Sequence, residues 1–149
     1  MNYEEMIKLA EKASENAYVP YSKFPVGACV LTDSGKVYTG CNFENSSFGL
    51  TICAERNAVG SAIADGEKKV RAVAIFSPKM DNCSPCGACR QVLNEFKSKD
   101  GLDVITKISS WAKGSKEEFF LYFFPIIYLV INSNKYIFIT WKIQAKVLQ

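Results

Sequence analysis

Two short motifs constrain this chain more than any other feature: Cys53-Ala54-Glu55 and Pro85-Cys86-Gly87-Ala88-Cys89, each at the start of a predicted helix. Cys86 and Cys89 are three residues apart, so on the first turn of a helix both thiols face the same way. Unpaired N–H groups and the dipole at a helix N-terminus favour thiolate, the form that binds metal. If the two helix starts face each other, Cys53, Cys86 and Cys89 converge on one point. Three protein ligands on zinc leave the fourth tetrahedral position to water, the arrangement of a catalytic site. Glu55 lies two residues beyond Cys53, close enough to take a proton from that water and pass it on. Three thiolates also leave excess negative charge on a divalent cation. Arg56, next in sequence, is placed to hydrogen-bond the sulfurs and offset it.

The chain contains no histidine, which removes Ser-His and Cys-His nucleophile schemes and imidazole metal sites together. Its six cysteines, in a chain expected to act in the cytosol, read as metal ligands, nucleophiles or small buried residues rather than disulfide partners. Cys83-Ser84-Pro85-Cys86 is a competing C-x-x-C that, with Cys89, offers three of four ligands to a closed structural zinc; that arrangement gives Glu55 no role. Cys29 and Cys41 fall in apolar strand pattern and read as small buried residues.

Hydrophobic periodicity predicts a helix over Tyr3 to Ala17, a hairpin of Val26–Thr32 and Val37–Cys41 about the Asp33-Ser34-Gly35 turn, and a long polar loop to Thr51. A helix over Ala54–Ala64, a strand over Val70–Phe76, a helix opened by Pro85 and running to Phe96, and a strand over Leu102–Ile105 follow. This order implies an α/β sheet with helices packed on it. With 149 residues, 48% of them hydrophobic and 22% charged, the chain is long enough for one domain with a real core. Three of its 18 basic residues, Lys135, Lys142 and Lys146, lie beyond Phe119 with no acid among them. The remainder therefore balances 15 basic against 15 acidic residues. A neutral body lacks the basic stripe that nucleic acid requires, and a small neutral or weakly charged substrate suits it better. The acidic start Met1-Asn2-Tyr3-Glu4-Glu5 has no apolar run of a secretory signal, which points to the cytosol.

On these motifs the sequence resembles the zinc-dependent cytidine deaminases, in the small homotetrameric, three-cysteine form. The resemblance covers Tyr3 to Thr106. It is carried by Tyr21-Ser22-Lys23-Phe24-Pro25-Val26-Gly27-Ala28, Gly40-Cys41-Asn42-Phe43-Glu44-Asn45, Cys53-Ala54-Glu55-Arg56 and Ser84-Pro85-Cys86-Gly87-Ala88-Cys89-Arg90-Gln91. It implies a three-layer α/β/α fold with a central mixed sheet, and one zinc per subunit on Cys53, Cys86 and Cys89. It also implies that hydroxide formed at the zinc adds to C4 of cytosine while Glu55 shuttles the proton to N3. Ammonia then leaves cytidine or deoxycytidine as uridine or deoxyuridine, a step of pyrimidine salvage. By the same resemblance Phe24 packs on the pyrimidine, Asn42 and Glu44 bind the ribose hydroxyls, the Ala54 backbone contacts the base, and Phe48 reaches into a neighbouring subunit's site. Read without the family, Phe24 is equally a core residue and Asn42 and Glu44 are equally a solvated loop. In an extended segment the last two do share a face. Arg90 and Gln91 are either supporting groups for the ligands or helix surface.

Residues 107–149 depart from the pattern. Phe119–Ile131 is almost wholly apolar and Tyr136–Trp141 largely so, yet neither reaches the roughly 18 residues of a membrane span. They read as one or two strands covering the sheet, or else as a membrane-associated or non-native tail of the kind a frameshift produces. The family's acidic C-terminal helix is missing, and only Phe123-Phe124-Pro125 resembles its closing turn. Three alternatives to ordinary cytidine deamination therefore stand: a non-catalytic zinc module, a tail-damaged deaminase, and a nucleoside-antibiotic deaminase of the blasticidin type.

Overall fold

The structure is a computed structural model that describes residues 1–108, 127–131 and 137–142. Helix α1 (Tyr3–Ser14) starts from a capping box in which the Asn2 side chain accepts from the Glu5 N–H and the Glu5 carboxylate accepts from the Asn2 N–H. The expected extension to Ala17 is absent. The Ser14 hydroxyl donates back to the Glu11 carbonyl at 2.6 Å, and the amides of Glu15, Asn16 and Ala17 bond three residues back, which tightens the chain out of the helix.

The predicted hairpin forms as β1 (Gly27–Thr32) and β2 (Val37–Cys41). Helix α2 (Ala54–Ala64) and strand β3 (Val70–Phe76) take their predicted bounds. Helix α3 (Gly87–Phe96) begins two residues later than Pro85, because Cys86 is its N-cap and Pro85 precedes the cap. Strand β4 (Asp103–Ile108) runs past the predicted end at Ile105. Two tail strands, β5 (Ile127–Ile131) and β6 (Ile137–Lys142), complete a six-stranded sheet of order β2-β1-β3-β4-β6-β5. Only β3 and β4 are parallel, and every other neighbouring pair is antiparallel, so the sheet is mixed. The tail strands extend the sheet sideways from β4 rather than covering a face of it. The Phe123-Phe124-Pro125 turn and the first part of the Phe119–Ile131 run lie outside the described residues. No helix among the described residues is long and apolar enough to cross a membrane.

Alternation along the strands sends successive side chains to opposite faces, and both faces are covered. Ala28, Val30, Val73, Ile75 and Val104 pack under α2 and α3, against Ala58, Val59, Ala62 and Leu93. Cys29, Leu31, Ala72, Ala74, Phe76 and Ile105 meet Met6, Ile7 and Ala10 of α1 on the other side. The expected three-layer α/β/α arrangement is therefore present. Two glycines set the helix heights. A Cβ on Gly27 would lie 1.9 Å from the Ala10 carbonyl oxygen of α1. One on Gly40 would lie 2.5 Å from the Ala58 nitrogen and 2.7 Å from the Ala54 oxygen of α2. Gly40 thus lets the helix that follows Cys53 settle directly onto β2.

Candidate metal centre and active site

Helices α2 and α3 bring their N-termini to one place. Cys53 is the N-cap of α2, and Cys86 is the N-cap of α3 with Cys89 in the first turn. The three sulfurs lie within 4.8 Å of one another, and Cys53 Sγ is 3.8 Å from Cys86 Sγ. Two thiolates at about 2.3 Å from a tetrahedral zinc sit about 3.8 Å apart, so the spacing is that of a metal site. The Cys89 N–H donates to Cys86 Sγ at 3.5 Å, which satisfies one free amide of the helix start and orients the sulfur.

Cys83 does not join the cluster: it is buried in the core beneath α2 and α3. The competing C-x-x-C is thereby resolved, since Cys83 faces inward while Cys86 is exposed. Cys29 is fully buried and Cys41 half-buried, and neither approaches the cluster. Among the described residues the group therefore has three members, one short of a closed zinc site.

The charges around these sulfurs are strongly interdependent. Cys53 is pulled down to about 5, chiefly by a hydrogen bond from the Cys89 thiol and, against the cost of burial, by Arg56 and Cys86. Cys89 is correspondingly pushed up, because it is the donor in that pair. Arg56 Nη2 donates to Cys53 Sγ at 3.6 Å and to the Thr51 carbonyl at 3.0 Å, so adjacency in sequence is contact in space. Its Nε is buried with no hydrogen-bond acceptor among the described residues. That leaves a spare donor beside sulfurs that gain charge when a metal displaces their protons. Glu55, in the first turn of α2, is only 4% exposed, and burial raises its carboxyl above the ordinary range, with the Cys53 charge adding to the effect. This donor set fits zinc: three thiolates, a cation beside them and a buried carboxyl at the same helix start.

The structure brings Asn42 and Glu44 together on a second feature, the loop from Tyr21 to Val26. Asn42 Oδ1 accepts from the Val26 N–H at 2.8 Å and its Nδ2 donates to the Phe24 carbonyl at 2.9 Å. The Glu44 carboxylate accepts from the Tyr21 N–H at 2.9 Å and from the Ser22 N–H at 3.2 Å. Both side chains face the same way, as their alternation predicts, but they are pins for this loop rather than a solvated surface. Asn42 keeps one amide hydrogen and one lone pair, and Glu44 keeps free acceptor positions, for a further partner. Phe24 is half-buried against the core and Ala54 is fully buried at the start of α2. Phe48 sits apart from these, in a short 3₁₀ turn (Phe48–Leu50), 76% exposed and edge-on to Tyr21 at 6.0 Å. Arg90 is exposed, on the outer side of α3.

Several contacts have no signal in the sequence. The Ser77 hydroxyl donates to the Pro25 carbonyl at 2.8 Å, and Asn57 Nδ2 donates to the Cys41 carbonyl at 3.0 Å. Each ties a site loop to the scaffold through a backbone carbonyl, and any sequence supplies those.

Residues 1–102 match the family profile described as "Cytidine and deoxycytidylate deaminase zinc-binding region". A cytidine deaminase from Sporosarcina psychrophila is 51% identical over 96 residues, covering 64% of this chain and 71% of the relative. One from Mycoplasma genitalium is 40% identical over 120 residues, covering 79% and 92% respectively. The solved structure of a Burkholderia pseudomallei cytidine deaminase superposes with a TM-score of 0.67 at 45% identity, over 71% of this chain and 84% of that one. The profile spans both cysteine motifs that the fold has just brought together, and on that ground the chain belongs to the cytidine and deoxycytidylate deaminase family.

Proposed function

We propose that this chain hydrolyses the amino group of cytidine and 2′-deoxycytidine, giving the uracil nucleosides and ammonia. The observation that carries the reading is the convergence of three sulfurs within 4.8 Å at two helix N-termini, beside a buried carboxyl. Cys53, Cys86 and Cys89 hold the zinc. Zinc, when bound with one open position, supplies a Lewis acid that brings the pKa of a coordinated water down to about 7. Glu55 takes a proton from the attacking water and delivers it to N3 of the pyrimidine; C4 gains the hydroxyl, whose proton Glu55 then carries to the amino group, and this departs as ammonia as the C4 carbonyl forms. Its burial suits the task, because a carboxyl raised toward neutrality both accepts and returns a proton readily. Arg56 offsets the thiolate charge by its bond to Cys53.

Phe24 packs on the base, the Ala54 backbone contacts it, and the remaining hydrogen-bonding capacity of Asn42 and Glu44 takes the ribose hydroxyls. Because those two residues also hold the Phe24 loop, sugar and base recognition are built on one set of bonds. The exposed group of Tyr18, Tyr21, Phe43, Phe48 and Leu50 supports assembly into a homotetramer, with Phe48 entering a neighbour's site. A ligand set made wholly of cysteines needs free thiols, which supports action in the cytosol. We place the end of the catalytic core at Ile108 rather than Thr106, because β4 continues to that residue. The remaining residues, 109–149, then follow as the tail, whose strands β5 and β6 join the sheet beside β4.

The test is to quantify zinc and follow cytidine conversion for the wild type and Glu55→Gln. About one zinc per chain in both proteins, with turnover in the wild type alone, is expected. Bound zinc with no turnover of any cytosine nucleoside by the wild type would contradict the reading and favour a non-catalytic module.

A further inference from the structure

The loop between β3 and α3, which delivers Cys86 and then Cys89, is anchored to β4 at Asn82. Asn82 has φ 53°, in the left-handed region that asparagine tolerates better than most residues. In that conformation its N–H donates to the Lys107 carbonyl at 2.8 Å, and its Oδ1 accepts from the Thr106 hydroxyl at 2.6 Å. Thr106 is fully buried on β4, beside Ile75 of the parallel strand β3. A fixed point in the sheet therefore stands four residues ahead of Cys86. Between the two, Cys83 and Pro85 are buried while Ser84 and Cys86 are exposed. That alternation carries the register set at Asn82 forward and turns the Cys86 sulfur toward Cys53.

We propose that Asn82 and Thr106 form a latch that positions Cys86 and Cys89 for zinc, making Asn82 a positioning residue of the metal site. The proposal rests on the metal-site reading given above. A metal site works when its ligands are held near their bound geometry by packed and hydrogen-bonded support. Loss of the latch leaves the ligands in place in sequence but lets the loop sample other arrangements. The metal then escapes more easily, and the proton shuttle at Glu55 meets a less well-placed water.

The test measures zinc release from the holoenzyme to the chromogenic chelator 4-(2-pyridylazo)resorcinol, with kcat and KM for cytidine. The variants are Asn82→Gly, Asn82→Asp, Thr106→Val, Thr106→Ser and the double variant Asn82→Gly/Thr106→Val. Glycine keeps the left-handed backbone and removes only the acceptor, and valine removes only the donor. Both are expected to speed zinc release about ten-fold and to lower kcat while leaving KM near the wild-type value. Asn82→Asp and Thr106→Ser retain the bond and are expected to release zinc near the wild-type rate. The double variant is expected to be no worse than its poorer parent, since both changes break one interaction. If Thr106→Val fails to fold, Asn82→Gly decides the matter, because Asn82 is only half-buried. A zinc-loaded, active wild type together with an Asn82→Gly variant that releases zinc at the wild-type rate would overturn the latch alone. A wild type that holds no zinc would overturn the metal-site reading and the latch with it.

Discussion

Arg56 has an unusual set of contacts for a surface helix residue: a sulfur, a backbone carbonyl and a buried N–H left over. Arg56→Gln removes the cation that offsets the thiolates, and we expect about 10- to 100-fold faster zinc loss, read by chelator competition. Glu44 yields a prediction of the opposite kind, about a loop. Hydrogen bonding from Ser22, with the Tyr21 N–H and the nearby Lys23 charge, holds its carboxyl below the ordinary range against a smaller cost of burial. A folded-state pKa that is depressed stabilises the loop above the unfolded pKa, and the contribution is lost as pH falls through the folded value. The protection of the Tyr21 and Ser22 amides, taken relative to the intrinsic exchange rate at each pH, should therefore fall in acid, and Glu44→Gln should remove that pH dependence. Acid exchange rates that are the same in both proteins would refute the assignment. At this scale the convergence of Cys53, Cys86 and Cys89 beside Glu55 was legible, because zinc chemistry fixes residue type and spacing together. The loop-holding role of Asn42 and Glu44 was not, because their partners are backbone amides and carbonyls that leave no mark in the sequence.

Among the elements, α2 matters most, since it carries Cys53, Glu55 and Arg56 at one end. Its height above the sheet is set at Gly40, where any Cβ meets helix backbone. Gly40→Ala should cost about 1–3 kcal/mol in denaturant unfolding and lower kcat, because the helix must shift with its catalytic end. In contrast, Leu93→Ala, in the fully buried middle of α3, should cost about 2–5 kcal/mol through the cavity it leaves. Most of these elements could be read from periodicity, and α2 and β3 fell on their predicted bounds. The misses have local causes. Thr106 and Lys107 break the apolar pattern of β4 and hid its far end. Pro85 marked the approach to α3, but the cap itself is the cysteine that follows.

For the whole molecule, the three-layer body follows from strands buried on both faces, while the tail changes how that body ends. β6 pairs with β4 from Asp103↔Lys142 to Ile108↔Ile137, so β4 is an interior strand rather than an edge. The apolar runs of the tail announced strands, yet their place beside β4 was not legible, because periodicity does not say which edge a strand joins. A chain ending at Ile108 keeps Cys53, Cys86, Cys89 and the whole Asn82 latch but exposes the β4 edge. We expect it to bind zinc in the same ratio, with a lower Tm and a greater tendency to associate, as checked by metal analysis and light scattering.

The proposed arrangement, three cysteines on the metal with one position open for chemistry, is read out by X-ray absorption at the zinc edge of the purified protein. It predicts about three sulfurs at roughly 2.3 Å and one oxygen at roughly 2.0 Å. A shell of four sulfurs would mean that a further cysteine closes the site, and would contradict it.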